Sequence, residues 1–125
     1  MILDTSAVSA LFAGERLLAD LLAGTRRHHL PTVVIGEYRY GLARSRHRAN
    51  LARLLEALVS ASIVLPVEVA TTPHYARVRD ELRTRGTPIP ENDVWIAALA
   101  RQHGLAVVSR DEHFDLVPQL VRHAW

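Results

Sequence analysis

The chain alternates short, unbroken apolar runs with longer stretches in which apolar positions recur every three or four residues. The runs are Met1 to Leu3, Leu30 to Val34, Ile63 to Val67 and Leu105 to Ser109, with Leu120-Val121 as a shorter last candidate. Runs of this length, without polar alternation, read as strands buried on both faces. Between them, Leu17, Leu18, Leu21 and Leu22 form a helical stripe with Gly24 placed for its C-terminal cap, and Ser6 is placed to cap the helix before it. A helix through Glu37 runs toward Arg48, and Leu51, Leu54, Leu55 and Leu58 keep the helical period of another helix over about 48–60. Thr72 and Pro73 open a helix with Tyr75, Val78 and Leu82 on its inner face. Thr84 to Pro90 is a Gly/Pro loop, and Asn92 to His103 is an apolar helix that ends before Gly104. Strands alternating with helices predict an α/β fold with a central, mainly parallel sheet covered on both faces. No repeat or linker interrupts the pattern, so residues 1–125 are expected to form one domain.

In such sheets the ligand site lies beyond the carboxyl ends of the strands, and four acids fall at element ends of this kind. Asp4 follows the first strand, and Asp111 follows the strand ending at Ser109. Asp93 sits in the first turn of the preceding helix, and Glu37 lies beside the buried stripe of Ile35, Tyr38 and Leu42, with Gly41 one turn on. A carboxylate in apolar surroundings costs free energy unless something neutralises it. Four of them, far apart in sequence, point to one shared neutraliser, and hard divalent cations such as magnesium or manganese take oxygen ligands of this kind. Each acid also has a structural explanation as a cap, a turn residue or a solvated position, so the weight rests on the set. Glu91, which shares the helix start with Asp93, reads as structural. Asp115 and Glu112 compete with Asp111, and His113 lies close enough to the acids to watch.

Composition sharpens the choice of substrate. The formal charge is only +2, yet all 15 Lys+Arg residues are Arg, many of them clustered at 26–27, 39–53 and 77–85. Arg presents a planar fork that fits phosphate oxygens, and a basic surface beside an acidic cation centre suits a polyanion. Continuing the helix of Glu37 by seven and eleven residues puts Arg44 and Arg48 on its side, as candidate phosphate-binding residues at the rim of the site. No apolar run approaches the ~20 residues of a membrane span. Met1 leads straight into Ile2-Leu3-Asp4 without a basic leader, and there is no Cys. Both fit a cytoplasmic protein without disulfides. The seven His lack zinc-protease spacing, and no Walker loop, GxGxxG or GxSxG elbow is present.

Together the motifs resemble the PIN-domain ribonucleases, and in particular the small VapC-type toxins of prokaryotic toxin–antitoxin pairs. The likeness runs from Ile2-Leu3-Asp4-Thr5-Ser6, through Glu37-Tyr38-Arg39-Tyr40-Gly41 and Asn92-Asp93-Val94-Trp95-Ile96-Ala97-Ala98, to Val107-Val108-Ser109-Arg110-Asp111-Glu112-His113-Phe114. The Asn92 to Ala98 block is the most specific. Ser109 stands where Thr is usual, and His113 where many members carry an acid. The resemblance implies a three-layer α/β/α sandwich and a magnesium-dependent endoribonuclease, with manganese able to substitute. It implies Asp4, Glu37, Asp93 and Asp111 as catalytic metal ligands, with Thr5, Ser6, Asn92 and Ser109 orienting carboxylates and waters. It also implies an RNA substrate, a cognate VapB-like antitoxin, and homodimeric and toxin–antitoxin assemblies. The competing expectations are a DNA or flap nuclease using the same acids, and a non-catalytic RNA-binding regulatory domain.

Overall fold

Ile2–Leu3 (β1) is the middle strand of the sheet, paired in parallel with His29–Pro31 (β2) on one side and Val107–Val108 (β4) on the other. Ile63–Leu65 (β3) adds outside β2 and Arg122–His123 (β5) outside β4, giving the order β3-β2-β1-β4-β5 with every pairing parallel. The computed structural model describes residues 1–125. Six helices flank the sheet: α1 (Thr5–Phe12), α2 (Arg16–Leu22), α3 (Thr32–Leu42), α4 (Arg48–Ala61), α5 (Thr72–Thr84) and α6 (Glu91–His103). The expected α/β/α architecture with a parallel sheet is therefore observed.

The central strands are buried on both faces, which is why they carry only apolar residues: Ile2, Leu3, Val107 and Val108 have no exposed surface. Val8, Leu18, Val34, Leu55, Val78 and Leu99 meet them from the helices and are equally buried. Each such side chain contributes about 1.5–3 kcal/mol through removal from water. α6 begins after Pro90 and ends at Gly104, whose φ of 64° gives the left-handed closure that glycine allows without strain. No helix is long and apolar enough to cross a membrane.

Several local expectations shift. Asp4, not Ser6, caps α1: its Oδ1 accepts from the Ala7 N–H at 2.8 Å, and Ser6 sits inside the helix. Gly24 makes no left-handed cap, because α2 closes through Ala23 in right-handed geometry. The second strand ends at Pro31, whose extended backbone starts α3, so Thr32 to Ile35 turn as a helix despite their β-branched side chains. Ile63 to Val67 shortens to Ile63–Leu65, since Pro66 has no N–H for the ladder. The last strand is Arg122–His123 rather than Leu120-Val121.

One correction reaches the function. The helix of Glu37 does not run on to Arg48: α3 ends at Leu42, a turn follows, and α4 starts afresh at Arg48. Within that turn the Ser45 hydroxyl accepts from the His47 N–H at 3.1 Å. Helical phase therefore no longer places Arg44 and Arg48 on the side of Glu37. Arg44 instead lies over the Tyr40 ring, 5.7 Å from its centroid.

Candidate active site

The sheet order puts the carboxyl ends of β1 and β4 side by side, and the acids gather there. Asp4 emerges from β1 and Asp111 from the segment after β4, while α3 brings Glu37 and the first turn of α6 brings Asp93. These four residues, with Thr5, Ser6 and Ser9, line a cleft of about 250 Å³ that has no apolar and no basic side chain in its wall. All four expected ligands are thus brought together. Ser9 joins them without having been singled out by any motif, although it lies one helical turn after Thr5 and so shares its face.

Asp4 is the most enclosed of the four, at 5% exposure. Ser6 Oγ donates to its Oδ1 at 2.7 Å, and Ser109 Oγ donates to its Oδ2 from the end of β4. Burial raises the Asp4 pKa above the usual carboxylate value, with the nearby Asp111 charge acting in the same direction and the hydrogen bonds opposing it. Ser109 Oγ also accepts from the Asp111 N–H at 2.8 Å, so one hydroxyl fixes the position of two acids. Asn92 donates Nδ2–H to Glu37 Oε2 at 3.2 Å, tying α6 to α3 across the cleft. Thr5 departs from its expected role: its hydroxyl oxygen is buried with no hydrogen-bond partner in the protein.

Asp93 shows the strain of the arrangement most clearly. Its pKa is pushed up to about 6, first by burial and then by the charges of Asp111 and Glu37, with His113 working against the shift. His113 Nδ1 lies 3.4 Å from Asp93 Oδ2 and 2.8 Å from Asp111 Oδ1. Of the two acids near Asp111, Asp115 is engaged elsewhere. Asp115 is held by Arg122 through hydrogen bonds of 2.8 and 2.7 Å, while the same guanidinium donates to the Ser109 carbonyl at 3.0 Å. Glu91 is engaged by Tyr75 and Arg79, beside a Tyr75–Trp95 stack with ring centroids 3.8 Å apart.

Arg110 lies between Ser109 and Asp111 in sequence but turns away from the cleft. Its guanidinium pairs with Glu15 and lies over the Trp125 ring at 4.8 Å, and the Trp125 indole N–H donates to Glu15 at 3.0 Å. Its backbone N–H donates to Ser6 Oγ at 3.2 Å. This brace holds the Asp111 segment against α1. No periodicity joins Glu15, Arg110 and Trp125, so the sequence carries no signal for it.

The donor set fits a divalent cation. Four carboxylates face one another without a basic wall residue, one carries a strongly raised pKa, and the Thr5 hydroxyl stands unpartnered beside them. Oxygen-rich surroundings of this kind suit magnesium or manganese.

The PIN domain family pattern matches residues 1–120. The chain belongs to the PIN domain family. A relative, Ribonuclease VapC5 of Mycobacterium tuberculosis, is 32% identical over 120 residues, spanning 90% of this chain and 84% of its own length. A solved VapBC-5 structure from the same organism, a member of the VapBC family of toxin–antitoxin systems, is 29% identical with a TM-score of 0.74 and covers 98% of this chain and 94% of its own. DNA-bound VapBC from Salmonella typhimurium superposes with a TM-score of 0.89 over 99% of this chain and 96% of its own, at 24% identity, and so shares the fold. Within the PIN family, then, this chain stands in the VapC group.

Proposed function

We propose that this PIN-domain protein is a divalent-metal-dependent endoribonuclease acting as the toxin of a toxin–antitoxin pair. The observation that carries the proposal is the convergence of Asp4, Glu37, Asp93 and Asp111 on one wholly polar cleft. The cation would be magnesium or manganese. Asp4, Glu37, Asp93 and Asp111 would hold it. When bound, such an ion lowers the pKa of water and stabilises charge on the leaving oxygen of a phosphodiester.

The chain's own residues prepare the reaction. Ser6 and Ser109 hold the two Asp4 oxygens, and Asn92 orients Glu37. A side cleft of about 210 Å³ continues from Thr5, Ser9 and Glu37 to Gly41 and Ser45. A Cβ added to Gly41 would meet nothing within 4 Å, so this glycine opens the side cleft rather than relieving a packing contact. An RNA strand would run along it, and Arg44 and Arg48, neither of which is held in an ion pair, would meet its phosphates.

The partner is an antitoxin that covers the cleft and contributes an amphipathic helix. Leu17 and Leu54 remain exposed on α2 and α4 and offer apolar anchors, whereas Leu18, Leu22 and Leu55 serve the core. A homodimer completes the assembly. The deciding experiment is cleavage mapping on total RNA with purified, antitoxin-free protein, with magnesium and with EDTA, and with single-stranded DNA of matched sequence in parallel. Magnesium-dependent cuts confined to RNA are expected. Equal cleavage of DNA would transfer the reading to a DNA nuclease, and cleavage unchanged in EDTA would overturn the metal mechanism.

A further inference from the structure

At one end of the acid cleft a nitrogen joins the oxygens. Asp93, Asp111 and His113 each offer a ligand atom, and these three atoms all lie within 4.8 Å of one another. His113 Nδ1 is 2.8 Å from Asp111 Oδ1 and 3.4 Å from Asp93 Oδ2. Two donors bound about 2.1 Å from a common ion stand about 3.0 Å apart at an octahedral angle and about 3.4 Å apart at a tetrahedral one. The observed separations therefore match those of neighbouring ligands.

The ring is held in this place by its own turn. The His113 N–H donates to Asp111 Oδ1 at 2.9 Å, and the next side chain, Phe114, is fully buried. About half of the imidazole remains open to solvent, as does about a third of the Asp111 side chain, so a hydrated ion has a path in. The acid two positions on, Asp115, is committed to Arg122 and does not compete.

We propose that His113 is a metal ligand, giving this centre a mixed nitrogen–oxygen donor set that favours manganese and the later first-row ions over magnesium. The proposal rests on the nuclease reading for the four carboxylates and adds a donor of a different kind. Magnesium prefers oxygen ligands and dehydrates reluctantly, whereas imidazole nitrogen binds transition ions well, with affinity rising from manganese through cobalt to nickel. The competing explanation is that His113 only compensates the charge of Asp93 and Asp111 by lying against them. In that case its removal would affect every cation alike.

The test uses the full chain without antitoxin, and manganese or magnesium alone as the probe. Pulsed electron paramagnetic resonance on the manganese-loaded protein should show nitrogen hyperfine coupling that disappears in His113→Ala. Calorimetry should show manganese affinity reduced by about tenfold or more in His113→Ala, with magnesium affinity changed less than about threefold. His113→Asp restores an all-oxygen set and should move the preference back toward magnesium. Nitrogen coupling that is missing from the wild type or survives in His113→Ala overturns the proposal, as does an equal loss for both ions. If RNA is cut in manganese while no nitrogen coupling appears, the role of His113 alone fails. If manganese does not bind and RNA is not cut, the nuclease reading fails with it.

Discussion

Ser109 and Asp4, separated by 105 positions in the chain, share a buried hydrogen bond at the junction of β4 and β1. The same serine hydroxyl accepts from the Asp111 backbone, so the two aspartates are set relative to each other by one side chain. Ser109→Ala should therefore loosen the centre without removing a ligand. We predict a drop in magnesium affinity of about 10- to 100-fold, with Ser109→Thr, which keeps the hydroxyl, close to wild type. Calorimetric titration checks this, and an unchanged affinity in Ser109→Ala would remove the serine from the site's support.

Asp4→Asn, Glu37→Gln, Asp93→Asn and Asp111→Asn should each lower RNA cleavage by about a hundredfold or more. Folding should persist, because removing one carboxylate also relieves repulsion among the rest. Asp80→Asn and Glu56→Gln are the controls, since both side chains are solvent-exposed and lie outside the cleft wall. Single-turnover cleavage together with thermal melts separates lost chemistry from lost structure. A site variant cutting at the wild-type rate would exclude that residue.

The raised pKa of Asp93 gives a pH signature. Its folded carboxyl keeps a proton up to about pH 6, while the unfolded chain releases it near 3.8. Between these values the folded state binds more protons, so this group's contribution to stability declines as pH rises from about 4 to about 6. A cation replaces the proton, and magnesium should therefore raise the melting temperature more at pH 7.5 than at pH 5. Asp93→Asn should flatten the metal-free profile over the same window. A magnesium-induced shift that is equal at both pH values would contradict the assignment.

Asp115 carries the opposite sign. Its hydrogen bond with Arg122 holds its pKa below the usual carboxylate range, so its contribution is present at neutral pH and is lost on acidification below the normal carboxylate value. Asp115→Asn should leave metal affinity within error of wild type, since the residue faces Arg122 and not the cleft. Impaired cation binding in this variant would reassign it to the centre.

Neutralising Arg44 and Arg48 should weaken RNA binding. It should also flatten the salt dependence, by about 0.7 in the log–log slope for each phosphate of a single strand that is no longer neutralised. The cleavage rate of bound RNA should change much less. Filter binding across a salt series provides the measurement, and an unchanged slope would place both arginines outside the RNA path.

Asp4, Asp93 and Asp111 are legible in the sequence because each stands where an apolar run or an apolar helix begins or ends, and the parallel sheet then forces those ends together, whereas Glu37 lies mid-helix in α3 and is marked by its place beside the buried stripe. What the sequence hides is set by interactions without local pattern. The second helix over about 48–60 is legible, but the early end of α3 at Leu42 is not, because it is carried by a turn around Ser45 that no apolar position marks. The strand Arg122–His123 is polar in sequence because it is an edge and because Arg122 reaches back to Asp115. Asp4 and Ser6 are both good caps by residue type, and only the geometry shows that Asp4 takes the position at the start of α1.

Asp4 lines the acid cleft, where it is proposed to hold the cation, and it is also the residue that starts α1, and this double duty shapes what inactivation does. Asparagine caps a helix as well as aspartate does. A chain carrying Asp4→Asn is therefore expected to keep its shape and its antitoxin-facing surface while losing its cut. Such a chain would act as a decoy, soaking up antitoxin and releasing active copies made in the same cell. Disarming this protein by the smallest chemical change thus creates a competitor within the pair, whereas a truncation that prevents folding creates only an absence.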